Sequence, residues 1–319
     1  MNLALAAILW MAASMLGEVG AAPGKTPIAF LGKIDPGVRL LHDKAARTLD
    51  PKRDVGKVLY AGDTLECAAG AKAMGFLARS DGTRSSLPQD LCQPKLLTDV
   101  LTHLLQGEVI GKRDFTQHAT VLETYAKLGG RSKGDDAAVF APPDHGAALA
   151  DKFVIRWRTR PPLDTLTIIL EDEQGTELAR VADVNGAEGV LESEVLRKAL
   201  GRYQSSTGEH KVKLILRDKG SPEQSVVFTI LTKQQESDLN RELHDPAIAS
   251  DLFGYVQRAS IYDSFGLYDE VATEYDAALK VAPESHDLLL AAFNAHTRIG
   301  DFRAARDLRD RLAQSEDEK

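Results

Sequence analysis

Cys67 and Cys92 are the only thiols in the 319-residue chain and stand 25 residues apart. The chemistry open to them is one disulfide or two buried free thiols, because two cysteines so spaced supply too few ligands for a zinc site. Eight histidines, at 42, 103, 118, 145, 210, 244, 286 and 296, include no pair at metal-ligand helical spacing and no His-Glu-x-x-His. There is no Gly-x-Ser-x-Gly elbow to activate a serine. Asp135-Asp136 and Glu171-Asp172-Glu173 set carboxylates side by side but lack the wider ligand spacing of a calcium loop, so solvated turns are the plainer reading. Gly129 to Asp136 mixes Gly and Lys without Walker spacing or a strand-to-helix frame. The expectation is a non-enzymatic protein with no cofactor and no metal, whose work is done by a surface.

The elements that would build such a surface lie near the carboxyl end. Gly266, Leu267 and Tyr268 recur 34 residues on as Gly300, Asp301 and Phe302, and Val271 recurs as Ala305. A 34-residue period with helical spacing inside each unit predicts stacked helix–turn–helix units. Two such units are marginal alone, so this region is expected to dock on the preceding helix, on a neighbouring module or on another protein.

Charge narrows the partner. Residues 245–319 carry 8 basic against 15 acidic side chains, whereas 23–94 carry 11 against 8. An acidic helical region repels polyanions, which argues against nucleic acid. The apolar run Leu3 to Leu16, then Glu18 and Val19-Gly20-Ala21-Ala22, reads as a signal peptide over 1–21 with cleavage after Ala21. It is short for a bilayer span, although no Lys or Arg precedes it and an uncleaved anchor stays open. The expected location is periplasmic or secreted, without a stable transmembrane span after cleavage. In an oxidising compartment a structural disulfide between Cys67 and Cys92 is the favoured state of the pair.

Residues 25–94 read as short strands: Ile28 to Leu31, Val38 to Leu41, Val58 to Tyr60, Thr64 to Cys67, and a hairpin of 72–79 with 83–87 about Ser80-Asp81-Gly82. Gly32-Lys33-Ile34, Ala61-Gly62-Asp63-Thr64-Leu65, Gly70 with Ala71 and Ala73, and Ser80-Asp81-Gly82-Thr83 resemble the periplasmic FecR-like domain. Signalling members of that family have an N-terminal membrane segment with a cytoplasmic end; a signal-like peptide replaces it here, so that role is not carried over. Residues 95–149 read as a helical segment and a linker.

Alternation returns in Phe153, Ile155 and Trp157, in Leu166, Ile168 and Leu170, in Val212, Leu214 and Leu216, and in Val226, Phe228 and Ile230. This predicts a two-sheet sandwich over 150–232 with Trp157 in its core. It resembles an immunoglobulin or fibronectin III-like domain lacking the antibody-type disulfide. Glu192 to Leu200 is expected as a short crossover helix and Gln234 to Leu243 as a connecting helix, with Asp245-Pro246 starting the next one.

Over 245–314, Ala259, Tyr262, Gly266, Tyr268, Tyr275, Ala278 and Pro283 resemble the tetratricopeptide (TPR) family, with Phe293, His296, Arg309 and Leu312 at the matching places of a degenerate second unit. That resemblance implies a concave groove lined by the first helix of each unit. It puts Tyr262, Asp263, Asn294 and Arg298 on that lining, with Asn294 and Arg298 the better candidates to grip a peptide backbone or carboxylate. Ordinary solvated side chains are the alternative, and His296 reads as a packed stand-in for an aromatic or as a ligand. The expected class is a multidomain β plus α protein: a FecR-like small β domain, a β-sandwich and α-helical repeats. Its expected role is to hold a protein partner in the envelope, with peptidoglycan or another envelope glycan bound by the FecR-like domain as the second reading. With the signal removed, Trp157 is the one remaining Trp, and its core-type pattern disfavours a sugar platform.

Overall fold

The computed structural model describes residues 27–42, 45–78, 88–93, 138–158, 165–186, 188–205, 208–218, 224–245, 248 and 250–317. The expected signal peptide, the Ser80-Asp81-Gly82 turn and residues 95–137 of the 95–149 segment lie outside them. The described chain is a mixed β and α structure.

The first module has two small antiparallel sheets. One runs in the order β4 (Val58–Tyr60), β1 (Pro27–Ile34), β6 (Ala73–Leu77), β7 (Gln89–Asp90); the other is β3 (Ala45–Thr48), β2 (Val38–His42), β5 (Thr64–Cys67). Ile28, Leu31, Val38, Leu59 and Leu91 fill the core between them. Gly75 is required where β6 passes β1, since a Cβ there would stand 2.5 Å from the Phe30 carbonyl oxygen. Cys67 and Cys92 are joined in a disulfide, with Cα atoms 5.8 Å apart, that ties the end of β5 to the chain just after β7.

The second module begins earlier than position 150. β8 (Ala138–Ala141) and β9 (Ala147–Ala148), which the sequence reading left on the linker side, are sheet members. They are too short and alanine-rich to show alternation, and only their neighbours define them. β13 (Glu188–Glu192), β10 (Val154–Arg158) and β8 form one sheet; β12 (Glu177–Asn185), β11 (Thr165–Glu171), β14 (His210–Arg217), β15 (Gln224–Ile230) and β9 form the other. Ile155, Trp157, Ile168, Leu214 and Phe228 share their common core. Gly189 lies directly on the Trp157 ring, where a Cβ would come within 2.8 Å. Helix α1 (Glu194–Tyr203) is capped by Ser193 and buries Leu196 and Leu200 in that core.

Six helices are described. α2 (Lys233–Leu243) opens with a capping box between Thr232 and Gln235. α3 (Leu252–Ser264), α4 (Tyr268–Val281), α5 (His286–Ile299) and α6 (Phe302–Asp317) then pack in succession as two helix pairs. Asp251, not Asp245, caps α3, its carboxylate accepting from Gly254 N at 2.8 Å. Gly266 and Gly300 sit in the turns between the two helices of each pair, at φ of 74° and 84°, a conformation that costs a residue with a Cβ roughly 1–2 kcal/mol. Ala259 and Ala278 are fully buried where the paired helices meet, and Tyr275 fills the wedge beside them.

Eight of the thirteen residues of helix α3 are buried, Gln257 and Ser260 among them. Phe253 is fully buried, with its ring centroid 5.0 Å from that of Phe30 on β1 and 6.2 Å from that of Phe76 on β6. Phe30, Val58, Phe76 and Ala78 of the first module share one apolar cluster with α3, α4, α5 and α6. On another flank Ile261 and Leu267 pack with Ala147, Leu231 and Leu239. Two units that cannot bury themselves are thus completed from both sides by the chain's own β modules.

Candidate partner-binding face

Helices α3 and α5 carry the four side chains that the sequence reading singled out. Two of them meet: Arg298 donates to Asp263 at 3.0 Å while its guanidinium carbon lies 3.5 Å from the centroid of the Tyr268 ring. A planar cation that stacks on an aromatic face and pairs with a carboxylate is held in one orientation. Asn294 is only 3% exposed and lies in the interior of α5 rather than on an open wall. Tyr262 is half-buried between two apolar clusters. Burial, and then the charges of Glu270 and Glu274, push its phenol up to about 12, so it stays neutral as a hydrogen-bonding group.

The lining itself is partly taken. Leu252, Phe253, Val256, Gln257, Ser260 and Ile261 of α3 are buried, and the loop following β3 reaches over to the start of α5. Arg53 O accepts from His286 N at 2.9 Å, and Ser285 Oγ donates to Val55 O. Lys52 pairs with Glu284 at 2.9 Å and Lys57 with Asp287 at 3.6 Å. Gly56, at φ of 89°, permits this approach, since a Cβ would come within 3.0 Å of Ser285 Oγ. An open channel along both units, as the family resemblance implies, is therefore replaced by a face confined to α5 and the turn after it, beside Arg298, half-buried Leu290 and half-buried Phe293.

A second cluster lies behind that face, and sequence reasoning did not assemble it. His296 is 7% exposed, with Nε2 3.1 Å from Asp276 of α4 and Nδ1 3.7 Å from Asp301 in the α5–α6 turn. Asp301 also accepts from Ala304 N at 3.3 Å and from Arg158 of β10 at 3.4 Å. Burial, the strongest influence, pushes the imidazole down, but the hydrogen bond with Asp276 and the nearby Asp301 carboxylate together outweigh it and raise it to about 9. The same partnership, against burial, holds Asp301 below the usual carboxylate range. The one signal in the sequence was the replacement of the buried apolar Leu267 by Asp301 at the equivalent turn position. Among the described residues no group of three or more His, Cys, Asp or Glu side chains is arranged to hold a metal ion.

Asp269, in the first turn of α4, titrates abnormally. Burial, then the adjacent Glu270, raises its carboxyl to about 7 against the pull of its own turn's amides and of Arg156. The folded state thus holds that proton more tightly than the unfolded chain does. The contribution of Asp269 to stability therefore falls as pH rises from about 4 to about 7 and stays reduced above that. Asp269→Asn fixes the neutral form. It should match the parent at pH 4 and exceed it at pH 8 by about 1–2 kcal/mol, allowing for the partial exposure of the site, as read from urea midpoints at the two pH values.

No family model matches the chain, and no curated protein matches it either. No helix among the described residues is long and apolar enough to cross a membrane.

Proposed function

We propose that the protein is an exported, non-enzymatic adaptor of the periplasm or cell envelope. In this reading TPR-like helix pairs carry a FecR-like β module and an immunoglobulin or fibronectin III-like sandwich as one interlocked body, and they offer a protein partner the exposed flank of α5. The observation that carries it is the enclosure of α3. A helix covered by the first module on one flank and by the sandwich region on another holds the three parts in fixed relation, as a scaffold must. The stacked and paired Arg298, beside half-exposed aromatic and aliphatic carbon, is the kind of anchor on which protein interfaces concentrate their energy. The disulfide and the apolar amino-terminal run support export.

The test is a cross-linking pull-down from envelope extract run beside a binding assay on purified sacculi. The parent should enrich a defined protein, and Arg298→Gln should reduce that capture about thirtyfold, the scale of losing a hot-spot arginine. Enrichment on sacculi alone would favour the glycan reading through the FecR-like module and overturn the adaptor. Undiminished capture by Arg298→Gln would overturn the assignment of the α5 face.

A further inference from the structure

The two turns that repeat at a 34-residue interval are both gripped by the sandwich, by different means. At the first, Ala147 N donates to Gly266 O at 2.8 Å and Leu267 is buried with Ala147 and Leu231. At the second, the residue after glycine is Asp301, and the sandwich reaches it through Arg158. One hydrogen bond with an apolar contact beside it lets two bodies rock about that point; a second, separate attachment fixes their angle.

That second attachment is a chain of alternating charges. Asp276 of α4 faces His296 of α5, His296 faces Asp301, Asp301 faces Arg158 of β10, and Arg158 is held by Glu188 of β13 at 3.2 Å. Glu188 in turn lies 3.8 Å from Arg303 of α6, which returns the chain to the helices. Arg156 of β10 acts on Asp269 of α4 near the same junction, and Asp263 pairs with Arg298 alongside. Arg158 and Asp301 are only 22% and 14% exposed, so water screens them less than a surface pair.

We propose that the joint between sandwich and helix pairs is a two-point hinge, pivoting at Gly266–Leu267 and locked at Asp301, which His296 and Arg158 hold together. Without its proton His296 no longer offers positive charge to Asp276 and Asp301, and its side chain gives up its hold on the turn that presents Asp301 to Arg158. The sign follows from the direction of its titration: a histidine raised above its ordinary value contributes in full below about pH 6.5 and loses that contribution as pH climbs through about 9.

Spin labels at Val195→Cys on α1 and Gln314→Cys on α6, both exposed positions, report the angle of the joint as a distance distribution, with the Cys67–Cys92 disulfide kept oxidised. The parent should give a narrow distribution at pH 8, where Asp269 is already ionised, and a broad one at pH 10, with a midpoint near 9. His296→Gln and Arg158→Gln should be broad at both pH values, with the circular dichroism of the helices unchanged. Narrow distributions throughout would overturn the lock. Broadening that tracks a loss of helicity would also overturn it, because His296 would then hold the helix pair rather than the joint.

Discussion

Phe253→Ala should destabilise the protein by about 3–5 kcal/mol, the usual loss for a fully buried phenylalanine whose site cannot collapse. The ring is held on one side by Phe30 and Phe76 of two β-strands and on the other by the helix pairs, within a single apolar cluster. Both sets of neighbours are anchored in their own sheets or helices, so neither is free to fill the hole. The more telling outcome is cooperativity. In the parent, strand and helix signals should melt together in far-ultraviolet circular dichroism. In the variant the first module and the helix pairs should part into two transitions, because the contact that couples them is gone. A single unshifted transition would show that Phe253 does not join the modules, and would remove the main support for the interlocked body proposed above.

Cys67→Ser with Cys92→Ser should cost about 3 kcal/mol, the scale expected for opening a loop of this length. The loop encloses β6, whose Phe76 packs on Phe253, so the loss should reach beyond the first module. Thermal melts with and without reductant provide the check. Reduction should lower the midpoint of the parent and leave the double variant unmoved. A parent indifferent to reductant would mean that its small β core is sufficient without the bond.

Much of the local structure was legible because short-range rules dictated it. Period-two alternation marks β10, β11, β14 and β15, and their inward residues Ile155, Trp157, Leu214 and Phe228 do form a core. Helical spacing with the glycines at 266 and 300 marks the paired helices, and both glycines take the left-handed conformation that ends a helix. The short helix expected at 192–200 is α1, and the connecting helix expected at 234–243 is α2. The start of α3 was misplaced because Asp245-Pro246 and Asp251 both carry cap chemistry, and only the fold selects between them. β3, β7, β8 and β9 were missed because they are short and polar or alanine-rich, and only their pairing defines them: β3 with the adjacent β2, β9 with the distant β15.

The candidate face divides in the same way. Types and spacing placed Tyr262, Asp263, Asn294 and Arg298 on two equivalent helices. They did not reveal that Arg298 spends its charge on Asp263 and its plane on Tyr268, or that Asn294 is enclosed. The loop at 50–57 and Arg158 were invisible for a plainer reason. Lys52 meets Glu284 across 232 residues and Arg158 meets Asp301 across 143, and neither pairing leaves a mark on its own neighbourhood.

By itself, then, the order of amino acids determined where the chain turns, which faces are apolar, and that two marginal helix pairs needed covering. Tertiary structure alone decided what covers them. Periodicity is a property of neighbouring residues and is written along the chain, whereas the burial of Phe253 beneath Phe30 depends on which apolar faces meet once every element has formed.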